Sequence, residues 1–304
     1  MGIHMKMFKT LVATSILASM PAAVLADPVI YGKANLTVQS SDDGTDSTTE
    51  IKSNASRIGI KGSQKLDGGL EMVYQYEVQV DVSDESKELN LTSRSQYIGI
   101  RGAFGELLVG RNDTVLKQSQ GKFDIFSDLE GDIKSLWKGE NRMNDSITYK
   151  SPKFNNFQVG VSYILDEAND DSSTSLSLAY GDSALKKGKF YAAVAMDNEV
   201  KGYDATRITF ATKVSDVIVG AMFQTQENVA TGEDKSGYLV NAQYKLGKYN
   251  LKGQFQTLED DNGFTFGVDR KLAKNSKVFA FYTTFNFDMA EDETYLGLGL
   301  EQKF

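Results

Sequence analysis

The chain has 304 residues, with 33 Lys and Arg against 41 Asp and Glu and a formal net charge of −8. It has no Cys, and its one His is His4. This composition excludes disulfides, thiolate chemistry, Cys/His zinc sites and His-dependent triads, and an acidic chain repels the phosphates of nucleic acid.

The first 26 residues read as a removable leader. Met1 to His4 precede a second start at Met5 and read as a cloning remnant. Lys6 and Lys9, the apolar stretch Thr10 to Met20 and the small-residue exit Val24-Leu25-Ala26 follow the pattern of a secretory signal peptide. Residues 27–304 then form one unit. No later apolar run approaches the ~20 residues of a membrane-spanning helix.

From Val29 to Phe304 the dominant pattern is period 2, which sends successive side chains to opposite faces of a strand. Between Leu70 and Val80, one face carries Leu70, Met72, Tyr74, Tyr76, Val78 and Val80, and the other is mostly polar. Phe157, Val159, Val161 and Tyr163 alternate with Gln158, Gly160 and Ser162. Sixteen such segments are expected, with cores near 28–39, 52–62, 69–80, 92–102, 104–111, 142–151, 157–165, 173–181, 188–197, 204–214, 216–225, 236–246, 248–258, 263–271, 276–287 and 293–304.

The connections alternate in length. Short ones include Ala103-Phe104-Gly105, Ser215-Asp216 and Gly247-Lys248. Longer ones include Ser40 to Ile51, Asp81 to Asn90, Asp166 to Ser172 and Gln226 to Lys235. Short turns at one end and long loops at the other are the pattern of a transmembrane barrel. The apolar face is aromatic-rich towards strand ends, at Tyr74, Tyr76, Tyr163, Tyr180, Phe223, Tyr244 and Phe264, as interfacial girdles require. The expected fold is all-β: an antiparallel up-and-down barrel of sixteen transmembrane strands. That number is wide enough for a water-filled lumen. Small inward residues, Gly160, Ser162, Ser175, Ser177, Ala193 and Ala195, point to an open one.

One connection does not fit. Thirty residues separate Arg111 from Arg142. They hold Phe123, Ile125, Phe126, Leu129, Ile133, Leu136 and the only Trp, Trp137, which want a wall to pack on, and the inside of the barrel is the available one. Ile133, Leu136 and Trp137 have the spacing of a helical turn.

Several blocks resemble the trimeric general diffusion porins of Gram-negative bacteria. They are Tyr31-Gly32-Lys33, Ser56 to Gly62, Tyr97 to Gly102 followed by Phe104-Gly105 and Gly110-Arg111, and Arg142 with Asp145 to Pro152, with Phe304 as the terminal aromatic read by the barrel-assembly machinery. The resemblance implies a third loop folded into the lumen, facing a ladder of wall cations. On this chain the cations are Lys33, Arg57, Arg94 and Arg142, and the loop acids are Asp124, Asp128, Glu130 and Asp132. Such a throat sets a transverse field across narrow water. Alternation places Lys33, Arg57 and Arg142 inward. Arg94 shares parity with lipid-facing Ile98 and Ile100, so a β-bulge or strand-end position is needed to turn it inward. Two departures stand out: Gln302 replaces the usual penultimate aromatic, and the loop carries Lys117, Lys122, Lys134 and Lys138 as well as acids.

The expected function is passive diffusion of ions and small hydrophilic solutes across the bacterial outer membrane, by a homotrimer in contact with lipopolysaccharide. Small Gly32 and Ala34 on the first strand suit close packing between copies. No cofactor is expected beyond Ca²⁺ or Mg²⁺ held loosely at acidic loops such as those with Asp170-Asp171 and Asp260-Asp261. The competing reading is a substrate-selective porin, in which Phe123, Phe126 and Trp137 form a track for oligosaccharides or another nutrient.

Overall fold

The computed structural model describes residues 28–83, 90–165 and 172–304. The expected leader, Asp170-Asp171 and most of the connection before Asn90 lie outside these residues.

The strands are β1 (Val29–Asp42), β2 (Ser47–Ser53), β3 (Arg57–Lys65), β4 (Glu71–Val80), β5 (Leu91–Gly102), β6 (Gly105–Asp113), β7 (Arg142–Lys150), β8 (Phe157–Ile164) and β9 (Ser173–Gly181). They continue as β10 (Phe190–Val200), β11 (Tyr203–Val214), β12 (Val217–Asn228), β13 (Glu233–Leu246), β14 (Tyr249–Leu258), β15 (Asp261–Lys271), β16 (Ser276–Asn286) and β17 (Glu293–Lys303). All pair antiparallel in one 17-stranded sheet, consecutive strands with each other except β2 and β3, which both pair with β1. The sheet closes on itself, because β1 pairs with β17 from Lys33 opposite Lys303 to Asp42 opposite Thr294. Closure pairs the first strand with the last, so lipid meets no open sheet edge at that seam.

Seventeen strands make sixteen spans. β2 and β3 both pair with β1 and form one crossing, broken at Asn54-Ala55-Ser56. Ala55 sits there at φ 49°, and the Ser56 hydroxyl accepts the Asn35 N–H at 3.0 Å. The sixteen-strand barrel stands as the alternation predicts. Two connections read as long loops are shorter. β1 and β2 run on to Asp42 and Ser47, and β12 and β13 to Asn228 and Glu233, so these hairpins extend past the apolar band.

Alternation sorts the side chains as expected. Ile58, Ile60, Ile98, Val109, Leu298 and Leu300 are exposed on the outer wall, where lipid covers them. Tyr76, Tyr163, Phe223, Tyr244 and Phe264 share that face and are exposed. Thr37, Gln39, Thr148, Ser162, Thr209, Gln224, Gln256 and Thr283 point inward and are buried.

The buried apolar groups lie inside the barrel, under the long connection. Helix α1 (Val115–Ser119), capped by the Thr114 hydroxyl, and a 3₁₀ turn at Ile133–Ser135 give it local structure. The turn lies where the Ile133, Leu136, Trp137 spacing predicts one, whereas α1 has no such apolar signature. Phe123, Ile133, Leu136 and Trp137 pack against Tyr191, Ala193, Ala211, Met222, Leu239, Leu258 and Phe285 of the wall. Phe126 packs against Phe279 and Phe281. The small inward residues divide between two jobs. Gly160 and Ser177 line the open cavity, while Ala195 and Ser175 seat α1, since Leu116 clusters with Ala195 and Ala205 and its N–H donates to Ser175 Oγ at 3.0 Å.

Gly32 also has a role within its own chain. A Cβ there would overlap the ring of Phe304 in the same chain, so its smallness serves the seam between the two ends. Gly32 N–H donates to Phe304 O at 3.0 Å, and Phe304 N–H returns a bond to Gly32 O at 3.2 Å.

Candidate functional site

The loop is tied to one side of the lumen. Trp137 Nε1 donates to Thr257 O at 2.7 Å, Gln254 Nε2 to Gly131 O at 2.6 Å, and Asn241 Nδ2 to Phe123 O. Lys252 Nζ reaches Ile125 O at 3.2 Å and lies 4.5 Å from the centre of the Phe126 ring. Arg207, fully buried on β11, clamps the returning end of the loop. It donates to Glu140 at 2.7 Å, to Gln120 at 3.2 Å and to Lys138 O at 3.3 Å, and stacks near Trp137. Period 2 on β11 places Arg207 inward between Ala205 and Thr209, yet it has no counterpart in the sequence reading.

The opposite side stays open as a cavity of about 740 Å³. Arg57, Arg94 and Arg142 of the wall and Asp124, Asp128 and Asp132 of the loop line it. Lys33 and Glu130 do not.

Each of the four wall cations meets a carboxylate. Lys33 and Arg57 face each other across the β1–β3 pair. Lys33 Nζ lies 2.7 Å and Arg57 Nη2 2.8 Å from the same Oδ2 of Asp128. Arg142 pairs with Asp113 at 2.9 Å, and Lys117 approaches the same carboxylate at 3.6 Å. Arg94 does turn inward. The β4–β5 register shifts between Tyr76 and Val78, so Glu77 alone opposes Arg94 and Ser95. That bulge reverses the parity of the strand, and Arg94 Nε meets Glu77 at 2.7 Å. Glu77 also lies 3.9 Å from Arg57 and accepts the Tyr31 hydroxyl at 2.9 Å. Glu77 and Asp113 are acids the sequence reading passed over. The inward parity of Glu77 on β4 was their available signal.

The loop acids divide by role. Asp128, at φ 70°, occupies the left-handed region that Asp tolerates better than most residues. Burial pushes its carboxyl up, but Lys33 and Arg57 outweigh burial and hold it below the ordinary value. Glu130 faces away from the cavity, bonding Lys52 and the Gln39 amide, the latter at 2.7 Å. Asp132 is spent on its own loop, accepting the backbone N–H groups of Asp128 and Lys134, each at 2.9 Å. Asp124 is different. Its two oxygens are buried, and no cation pairs with it among the described residues. Burial, then the charges of Asp132, Glu140 and Asp128, raise its carboxyl well above the usual range.

Among the described residues, no group of three or more His, Cys, Asp or Glu gathers to hold a metal. No helix among them is long and apolar enough to cross a membrane, which says nothing of a barrel that crosses with strands.

A closed barrel with an inward loop and a charged lumen has a counterpart in known proteins. The family model for Gram-negative porins matches residues 13–290. The chain belongs to the Gram-negative porin family. It is 30% identical over 197 residues to the major outer membrane protein P.IB of Neisseria meningitidis serogroup B, covering 61% of this chain and 57% of the relative. It is 30% identical over 170 residues to the P.IB protein of Neisseria sicca, covering 52% and 47%. The matched region thus spans about half the length of these curated relatives. Among solved structures it superposes on an anion-selective porin from Comamonas acidovorans with a TM-score of 0.74 at 18% identity, over 91% of this chain and 99% of that one. It superposes on Salmonella typhi OmpF in complex with daunomycin with a TM-score of 0.74 at 16% identity, over 91% and 97%. These likenesses show the fold. The porin barrel lies in the bacterial outer membrane.

Proposed function

We propose that this porin is a water-filled channel for passive diffusion of ions and small hydrophilic solutes, and not an enzyme. The observation that carries this is the one-sided seating of the loop. Its apolar residues are bound to β10–β17, while the side facing Arg57, Arg94 and Arg142 stays open. Burial of Phe123, Phe126 and Trp137 to 2% exposure or less makes them anchors, which favours a general channel over an aromatic sugar track. In this reading Arg57, Arg94 and Arg142 with Asp124, Asp128 and Asp132 form the charged throat, and Lys33 and Glu130 stand behind it, paired with Asp128 and Lys52. Asp128, Asp113 and Glu77 neutralise much of the wall charge by direct contact.

The working unit is a homotrimer in contact with lipopolysaccharide, with residues 1–26 removed on export. Its acidic loops, such as the one with Asp260-Asp261, share any Ca²⁺ or Mg²⁺ with lipopolysaccharide phosphates. Planar-bilayer recording of the folded protein tests the channel. Steady ohmic conductance with no blocking by added maltooligosaccharides is expected. Absence of conductance overturns the proposal, and sugar-specific blocking favours the selective channel.

A further inference from the structure

Most cations lining the cavity are matched by a carboxylate, but three lysines at its turn end are not. Lys122 on the loop, Lys150 at the end of β7 and Lys153 in the turn after it all line the cavity, and among the described residues none has a carboxylate within 4.0 Å. They converge because α1 runs down to the turns. The loop residue before Lys122, Gly121, touches Ser183 of the β9–β10 turn, with its Cβ position 3.0 Å from Ser183 O. Lys153 Nζ donates to Gly181 O of the same turn at 2.8 Å. Lys150 lies opposite Gly160 on β8, the residue against which Val115 of α1 packs.

The nearest acids are committed elsewhere. Asp113 serves Arg142 and Lys117. Asp182 accepts the backbone N–H groups of Ala184, Lys186 and Lys187. Glu106 is the cross-strand neighbour of Lys150 but lies beyond ion-pair distance. What remains is a concave wall presenting three ammonium groups and the hydroxyls of Ser177 and Ser183; Asp124, the cavity-lining acid with no cation partner among the described residues, has both oxygens buried.

The geometry points to a binding subsite for small multivalent oxyanions in the vestibule below the throat, built from Lys122, Lys150 and Lys153. It rests on the channel reading above and adds to it a solute class and a second station along the path. Ammonium groups act as point charges with rotatable donors, so they suit phosphate or clustered carboxylates without fixing one geometry. A monovalent anion such as chloride engages one lysine at a time and passes. An oxyanion of higher charge engages several and pauses.

Inorganic phosphate is the probe. In a conducting wild-type channel in KCl, millimolar phosphate should reduce the current in a saturable way. Lys122→Gln, Lys150→Gln and Lys153→Gln should each raise the half-blocking concentration about three- to tenfold, and the triple variant should abolish the block. Lys201→Gln, an exposed lysine at the opposite end, should leave it unchanged. Equal block in wild type and triple variant, or no block of a conducting channel, overturns the subsite. Absence of conductance altogether overturns the channel reading instead, and ³¹P line broadening of phosphate by the detergent-solubilised protein then reads the subsite directly. If Lys150→Gln does not fold, the pair Lys122→Gln and Lys153→Gln carries the same test, because both side chains are exposed.

Discussion

Lys33 and Arg57 stand directly opposite each other across two paired strands and share one oxygen of Asp128. Like charges so placed repel, and here a loop carboxylate makes the pair tolerable while fixing the loop tip. Asp128→Asn removes that bridge. It leaves two partly buried cations facing each other and should cost about 2–3 kcal/mol. The midpoint for heat-induced loss of the folded gel mobility should fall. Reversal potentials in a KCl gradient should shift towards anions, because cations formerly neutralised now face the lumen. An unchanged potential would remove Asp128 from the permeation path.

The same pair has a pH signature. The Asp128 carboxyl is held below its ordinary value, so its contribution is present at neutral pH and is lost as pH falls through that lowered value. Acidification should therefore reproduce the selectivity of Asp128→Asn in the wild type and do little further to the variant.

Asp124 carries the opposite sign. Its buried carboxyl titrates well above the usual range, so the folded protein keeps a proton that the unfolded chain has already lost. Stability should decline as pH rises from about 4 through the raised value, since ionisation leaves an unpaired buried charge beside Asp132 and Glu140. Asp124→Asn should flatten that decline and reduce current noise at alkaline pH. A variant with the same pH profile as wild type would show that Asp124 is hydrated.

Arg207 is the clamp on which the open side of the lumen depends. Removing it leaves the buried Glu140 with the Gln120 amide but no counter-charge, at a cost of about 3–5 kcal/mol. Arg207→Ala should release the returning end of the loop, giving larger and noisier single-channel currents while the barrel itself still assembles. Arg207→Ala with Glu140→Gln should recover part of the loss, because the uncompensated charge is gone.

Sequence made the barrel legible because period 2 is enforced at every inward and outward position, and lipid punishes a slip on any strand. Lys33 and Arg57 followed from that parity alone; Arg142 is reached across a register shift opposite Gly110 to Asn112. Arg94 did not, because a single extra residue at Arg94-Ser95 inverts the pattern, and a bulge has no strong signature in the residues that form it. The partners of the cations were less visible still. Asp113 and Arg142 are brought together by the β6–β7 pairing across a 28-residue excursion, and Arg207 finds Glu140 only after the loop has folded inward. Deleting Ser95 should therefore restore strict alternation, swing Arg94 onto the lipid face and sharply lower the folded yield. Arg94→Ala in the intact bulge should insert normally.

Gly32 and Phe304 close the barrel at its seam. Their backbones exchange two hydrogen bonds, and the Phe304 ring lies over the space where a Cβ at Gly32 would stand. Gly32→Val forces that ring away and should cost about 1–3 kcal/mol, the usual scale of overpacking. Phe304→Ala alone should weaken the seam by exposing strand backbone that the ring now covers. The two changes touch the same space, so the double variant should be less damaged than the sum of the singles. Thermal gel-shift midpoints of the four proteins measure this coupling. Additive losses would mean that Gly32 is small for a reason other than Phe304, such as contact with a second copy of the chain.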